Sequence, residues 1–165
     1  MLLALPALEQ RFSKRNLMFV SVGLYVIGDL LIFIGKNSAA CLLVGLVITG
    51  LGIYGIFGIT FAMQPDVIDY SEYKKNASVA GLIAAFQGFF VKGGMGLTSF
   101  IIGIFLKKGG YVANAVQTSR ALTHIEICFI WIPIVLCVLI AVLTYFYKLD
   151  SIRGEMTEEL EKRRA

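Results

Sequence analysis

Four apolar runs, at 17–35, 39–63, 80–106 and 122–147, fix what this chain can become. Each is long enough to cross a hydrocarbon core of about 30 Å as a helix, which takes roughly 20 residues. Lipid offers no partners for backbone N–H and C=O groups, so separate spans of this length must be α-helices that bond internally. The expectation is an all-α membrane protein with four transmembrane helices. Composition agrees: 58% of the 165 residues are hydrophobic and only 16% charged, with a mean hydropathy of +0.79. Soluble domains carry far more charge.

The opening residues 1–10, MLLALPALEQ, are apolar but too short to span. No basic residue precedes their apolar part, and Arg11, Lys14 and Arg15 follow it, so they do not form a secretory signal. They read as the end of a truncated helix. Cys41, Cys128 and Cys137 fall inside spans without metal-ligand spacing. Cys128 and Cys137 lie too far apart along one helix to bond, and all three read as small apolar residues. His124 is the only histidine. With no phosphate-binding loop, nucleophile elbow or histidine cluster, the chain offers nothing an enzyme, resident metal or cofactor needs. The net charge of +4 is spread along the flanks and implies no nucleic-acid partner.

Four spans put both termini on one side, and the basic residues say which. Arg11, Lys14 and Arg15, then Lys74 and Lys75, then Lys148, Arg153, Lys162, Arg163 and Arg164 flank one set of span ends. Lys36, Lys107, Lys108 and Arg120 flank the other. The richer side is the cytoplasmic one by the positive-inside rule, so both termini and residues 64–77 are expected there, in a multi-pass protein of the cell membrane. Tyr145, Phe146 and Tyr147 end the last span as an aromatic belt, and 148–165 forms a charged cytoplasmic tail.

Between the second and third spans, QPDVIDYSEYKKN packs Asp66, Asp69, Glu72, Lys74 and Lys75 into a few residues, and we read 64–77 as a cytoplasmic loop. Within the third span, Gly81, Ala85, Gly88, Lys92, Gly96, Ser99 and Gly103 recur at helical steps and form one stripe, small everywhere except Lys92. An ammonium near mid-membrane costs roughly 2.5–3.5 kcal/mol, so such a lysine faces protein or water and serves a function. Gln87 adds polar atoms to an adjoining part of that face. Asp29 lies at similar depth in the first span and is a candidate partner for Lys92, although an acid on another segment is the stronger one. The second span carries Gly45, Gly50, Gly52, Gly55 and Gly58, a density that implies close packing or bending. Its Tyr54 and Phe57 offer rings on which a sugar can stack. Pro133 is expected to kink the last span beside Trp131, and His124 and Glu126 read as interfacial.

The run Asp66-Val67-Ile68-Asp69-Tyr70-Ser71-Glu72-Tyr73-Lys74 is followed by Gly81, Val91-Lys92-Gly93-Gly94, Gly109-Gly110-Tyr111, Gln117 and the closing Tyr147-Lys148-Leu149. In order and spacing it resembles the C-terminal region of the glycoside-pentoside-hexuronide:cation symporters, the melibiose-permease-like branch of the major facilitator superfamily. That resemblance implies a twelve-helix transporter in two halves, of which these spans are helices 9–12. It also implies a sugar and a coupling cation, Na⁺ or H⁺, bound between the halves, with the N-terminal half as partner. Asp66, Asp69, Tyr70 and Glu72 match the family's gating motif, Lys92 matches the family's lysine near the sugar and cation sites, and Gln87 matches a polar position of the family; both are candidate substrate- or cation-binding residues. Where members often carry Thr-Gly-x-Arg, this chain reads Lys75-Asn76-Ala77-Ser78, so Ser78 replaces the arginine. The expectation is the C-terminal fragment of a cation-coupled sugar symporter working by alternating access; the alternative is a free-standing four-helix membrane scaffold or partner protein.

Overall fold

A computed structural model describes residues 12–36, 38–75, 79–147 and 149–164, and the regular structure among them is entirely helical. The order is α1 (Lys14–Ile34), α2 (Ala39–Lys75), α3 (Ala80–Gly109), then a last span in three pieces, and finally α6 (Leu149–Arg164). The pieces are α4 (Ser119–Glu126), a π-helical turn (Ile127–Trp131) and α5 (Ile132–Tyr145). Among the described residues four helices are long and apolar enough to cross a membrane: Lys14–Ile34, Ala39–Lys74, Ala80–Gly109 and Ser119–Tyr145. Residues 1–10 and Ser78 lie outside the described residues.

Helix ends follow local chemistry. α3 stops at paired glycines because Gly110 takes the left-handed conformation, φ 72°, which a side chain resists. Tyr111 N–H then bonds back to the Leu106 carbonyl at 3.0 Å and Gly110 N–H to that of Lys107 at 3.2 Å, closing off the last turn. The last span starts where the Thr118 hydroxyl accepts the Ala121 N–H at 3.3 Å.

One expectation fails here. The segment read as a loop at 64–77 continues α2 as helix to Lys75, with Pro65 inside it. Proline removes one backbone donor, but membrane helices tolerate it when neighbouring groups satisfy the freed backbone. In the turn before it, Lys14 Nζ donates to the Ala62 carbonyl at 2.6 Å. The sequence signals of proline and dense charge were therefore signs of a helix leaving the apolar layer.

α1 lies against α2 and α5, and the core they share is centred on Met18, Val22, Ile59 and Cys137. The glycines of α2 serve close packing at two places. A Cβ on Gly45 would meet Ile32 Cγ1 at 2.7 Å, and one on Gly52 would meet the Cα of Tyr25 at 2.7 Å, so α1 approaches to backbone contact. Gly50, by contrast, faces open space among the described residues. Where Pro133 was expected to kink the last span, the helix holds a π turn over Ile127–Trp131 just before it. With no N–H on Pro133 and its ring crowding the turn before it, the helix widens, and Ile132 N–H bonds the Ile127 carbonyl five residues back. Trp131 from this turn packs edge-on to Phe33 of α1, centroids 5.4 Å apart. Glu126 pairs with Lys36 at 2.5 Å, tying the α1–α2 turn to the last span at a half-exposed site. α6 folds back against α2 and buries Met156 and Leu160.

α3 stands apart. It meets α4 near its end, where Gly109 packs against His124, and touches α2 only lightly, so that nothing in its apolar stretch is buried. The small-residue stripe is open along its length: beside Gly81, Gly88, Gly96 and Gly103 the described chain places nothing.

Candidate functional site

Two regions carry the polar chemistry. The first lies where α1 begins and α2 ends. Lys14 and Asp66 are buried, 4% and 3% exposed, and their charged atoms meet at 2.6 Å. Lys14 also donates to the Ala62 carbonyl, and the Tyr147 hydroxyl donates to Asp66 Oδ2 at 3.4 Å. Three parts of the chain far apart in sequence thus converge on one carboxylate. Burial of both ions makes the pair sensitive: removing one partner strands the other charge, whereas exposed pairs are nearly neutral in energy.

Because the motif is helical, its spacing acquires a meaning that a loop would not give it. Asp66, Asp69, Tyr70 and Tyr73 recur at i, i+3, i+4 and i+7 and share one face of α2. Asp69 and Glu72 are partly buried and have interactions of their own. Tyr70 carries the Lys74 ammonium over its ring at 5.3 Å. Arg15 sits over Tyr145 at 5.7 Å, so this ring is a cation partner for the start of α1.

The second region is the side of α2 and α3 that faces away from the core. A cleft of about 490 Å³ separates them, with Phe57 on one wall and Phe90, Met95, Thr98 and Ser99 on the other. Tyr54 and Phe57 are exposed, 60% and 53%, one turn apart on α2. Lys92 is exposed midway along α3 and shares the helical face of Ser99, two turns on; Gln87 is half-buried on the turn below. The cleft therefore brings Phe57 near the α3 face, while Lys92 stands at its margin and outside its lining. Asp29 does not pair with Lys92. It is buried between α1 and α2, with Thr49 donating to its Oδ1 at 3.2 Å.

Sequence reasoning missed Lys14 and Tyr147 as partners of Asp66. Lys14 entered only as one of the flanking positive charges, and Tyr147 only as an interfacial ring. A partial signal was present: a buried acid on a helix calls for a cation, and Lys14 begins the antiparallel neighbour.

The model of the MFS/sugar transport protein family matches residues 1–151. This chain belongs to that family. Among its relatives, the isoprimeverose transporter of Lactiplantibacillus pentosus is 35% identical over 97% of the chain, and the uncharacterized symporter YnaJ of Bacillus subtilis is 38% identical over 96%. The glucuronide carrier protein homolog of Escherichia coli is 28% identical over 96%. The chain spans about a third of the length of these relatives, 34%, 35% and 35% respectively. No solved structure matches it significantly. The family membership and the apolar helical spans together make this a membrane protein of the MFS/sugar transport protein family.

Proposed function

We propose that the chain is the C-terminal part of a cation-coupled sugar symporter and supplies helices 9–12 of twelve. The observation that carries this reading is the buried Lys14–Asp66 pair, joined by Tyr147 within a motif of transporter type. A buried pair between two helix ends is a two-state element: made, it clamps α1 to α2; broken, it leaves both charges needing water. That is the behaviour a gate requires, since a ligand moves a transporter only by biasing one discrete arrangement over another.

In this reading the Lys14–Asp66 end and both termini face the cytoplasm of a cell-membrane transporter, as the basic flanks favour. Asp66, Asp69, Tyr70 and Glu72 close that side while the cavity is open outward. Lys92 and Gln87 reach the sugar and its coupling cation, Na⁺ or H⁺, and Tyr54 and Phe57 supply rings for the sugar. The open face of α3 is covered by the N-terminal half, because midplane sites form between two repeats. A glycoside, pentoside or hexuronide is the substrate class, supported by relatives named for isoprimeverose and glucuronide. The scaffold alternative gains no support from relatives named as transporters, symporters and carriers.

The test is Asp69→Ala in the intact transporter. Uptake is expected to slow on the order of tenfold, equivalent to about 1.4 kcal/mol, while sugar affinity changes little, because a gate shifts populations without touching ligand. Equilibrium sugar binding alongside initial uptake rates reads both quantities. Lost affinity with an unaltered conformational balance would sink the gate.

A further inference from the structure

Among the described residues two aspartates are buried, and their surroundings are opposite. Asp66 has an ammonium and a phenol for company. Asp29, 2% exposed, has one weak donor, the Thr49 hydroxyl at 3.2 Å to Oδ1, and its Oδ2 has no hydrogen-bond partner among the described residues. None of the lysines, arginines or histidine among those residues forms an ion pair with it. The titratable groups near enough to feel its charge are Tyr25, one turn back on α1, and Cys137 on α5, both weak acids that offer no positive charge. α2 contributes Thr49. An ionised carboxylate in such a setting is heavily penalised, and its neutral form far less so.

The donor set narrows the choice of ligand. Among the described residues no group of three His, Cys, Asp or Glu side chains could hold a metal ion, and the polar atom on Asp29 is the Thr49 hydroxyl. A proton needs one carboxylate oxygen.

We propose that Asp29 is a proton-binding site, separate from both the cleft and the Lys14–Asp66 cluster, which carries its proton on Oδ2 while α1 and α2 are packed and releases it to water when they part. Uptake joins one proton from water to one carboxylate oxygen, and release reverses it. Packing of α1 on α2 then binds a proton, and raising the pH opposes it because the packed helices would hold a bare charge. The site is built wholly within this chain and stands whether or not the transport reading does.

Infrared spectroscopy of the purified chain in lipid nanodiscs at about pH 8, where an aspartate open to water is ionised, reads the proton directly. The expected result is the carbonyl-stretch band of a neutral carboxylic acid, abolished in Asp29→Asn and retained in Thr49→Val. Absence of the band in the wild type, or its survival in Asp29→Asn, overturns the proposal. Should Asp29→Asn not fold, Asp29→Glu with aspartate labelled with ¹³C at the side-chain carboxyl serves: a neutral-acid band that moves with the label in the wild type but not in Asp29→Glu supports the site, and one that moves in both, or in neither, or is missing, refutes it.

Discussion

Asp66→Ala will destabilise the folded chain by about 3–5 kcal/mol, because it leaves the Lys14 ammonium buried with the Ala62 carbonyl and no counter-charge among the described residues. Thermal or denaturant unfolding in detergent micelles measures this. The double change Lys14→Met with Asp66→Leu removes both ions and fills their volume with apolar atoms. It is expected to unfold close to wild type, since an apolar substitute for a buried pair is often neutral or better. Glu158→Ala is the internal control. Its pair with Lys162 is also short, 2.7 Å, but both side chains are about 70% exposed, so its loss changes stability by roughly 0.5 kcal/mol or less. If Asp66→Ala behaves like Glu158→Ala, the pair is not the buried clamp described above.

In the intact transporter, Lys92→Ala will reduce coupled sugar uptake by more than about tenfold, while Lys108→Ala leaves it within about twofold of wild type, a difference of roughly 1 kcal/mol or more in the uptake barrier. Both lysines are exposed on α3, and they differ in where along the helix they stand. Lys108 is in the last turn, where a cation meets the negative end of the helix dipole and water. Lys92 is midway along a span, where a charge is expensive unless the cavity or a partner receives it. Uptake into vesicles under an imposed cation gradient compares them. Equal, mild effects would count against a functional lysine on that face.

The spans were legible because lipid imposes a strict rule: long apolar runs must be helices, and length alone finds them. Their ends were less so. α2 runs on to Lys75 because the charge after Pro65 is satisfied by the start of α1, a contact between residues 14 and 66 that no local pattern announces. An irregularity at Pro133 was legible from one residue, yet its form, a π turn whose Trp131 packs on Phe33, was not. Small residues at helical period marked the stripe on α3 and the glycines of α2 alike. The structure separates them: Gly45 and Gly52 touch α1, while Gly88 and Gly96 face open space. Asp29 shows the same limit, since its depth matched that of Lys92 but its direction around α1 turned it toward Thr49. Depth can be counted along a sequence; azimuth around a helix depends on its neighbours.

The central claim, that this chain is one part of a two-part sugar symporter, is tested most directly by reconstitution. Purified chain is placed in liposomes alone, or together with a polypeptide carrying the first eight helices of the transporter, and labelled glycosides, pentosides and hexuronides are offered under a Na⁺ or H⁺ gradient. The account predicts gradient-driven accumulation of at least one sugar when both parts are present and none with the chain alone. Accumulation by the chain alone, or none in either case with both parts folded and inserted, would contradict it.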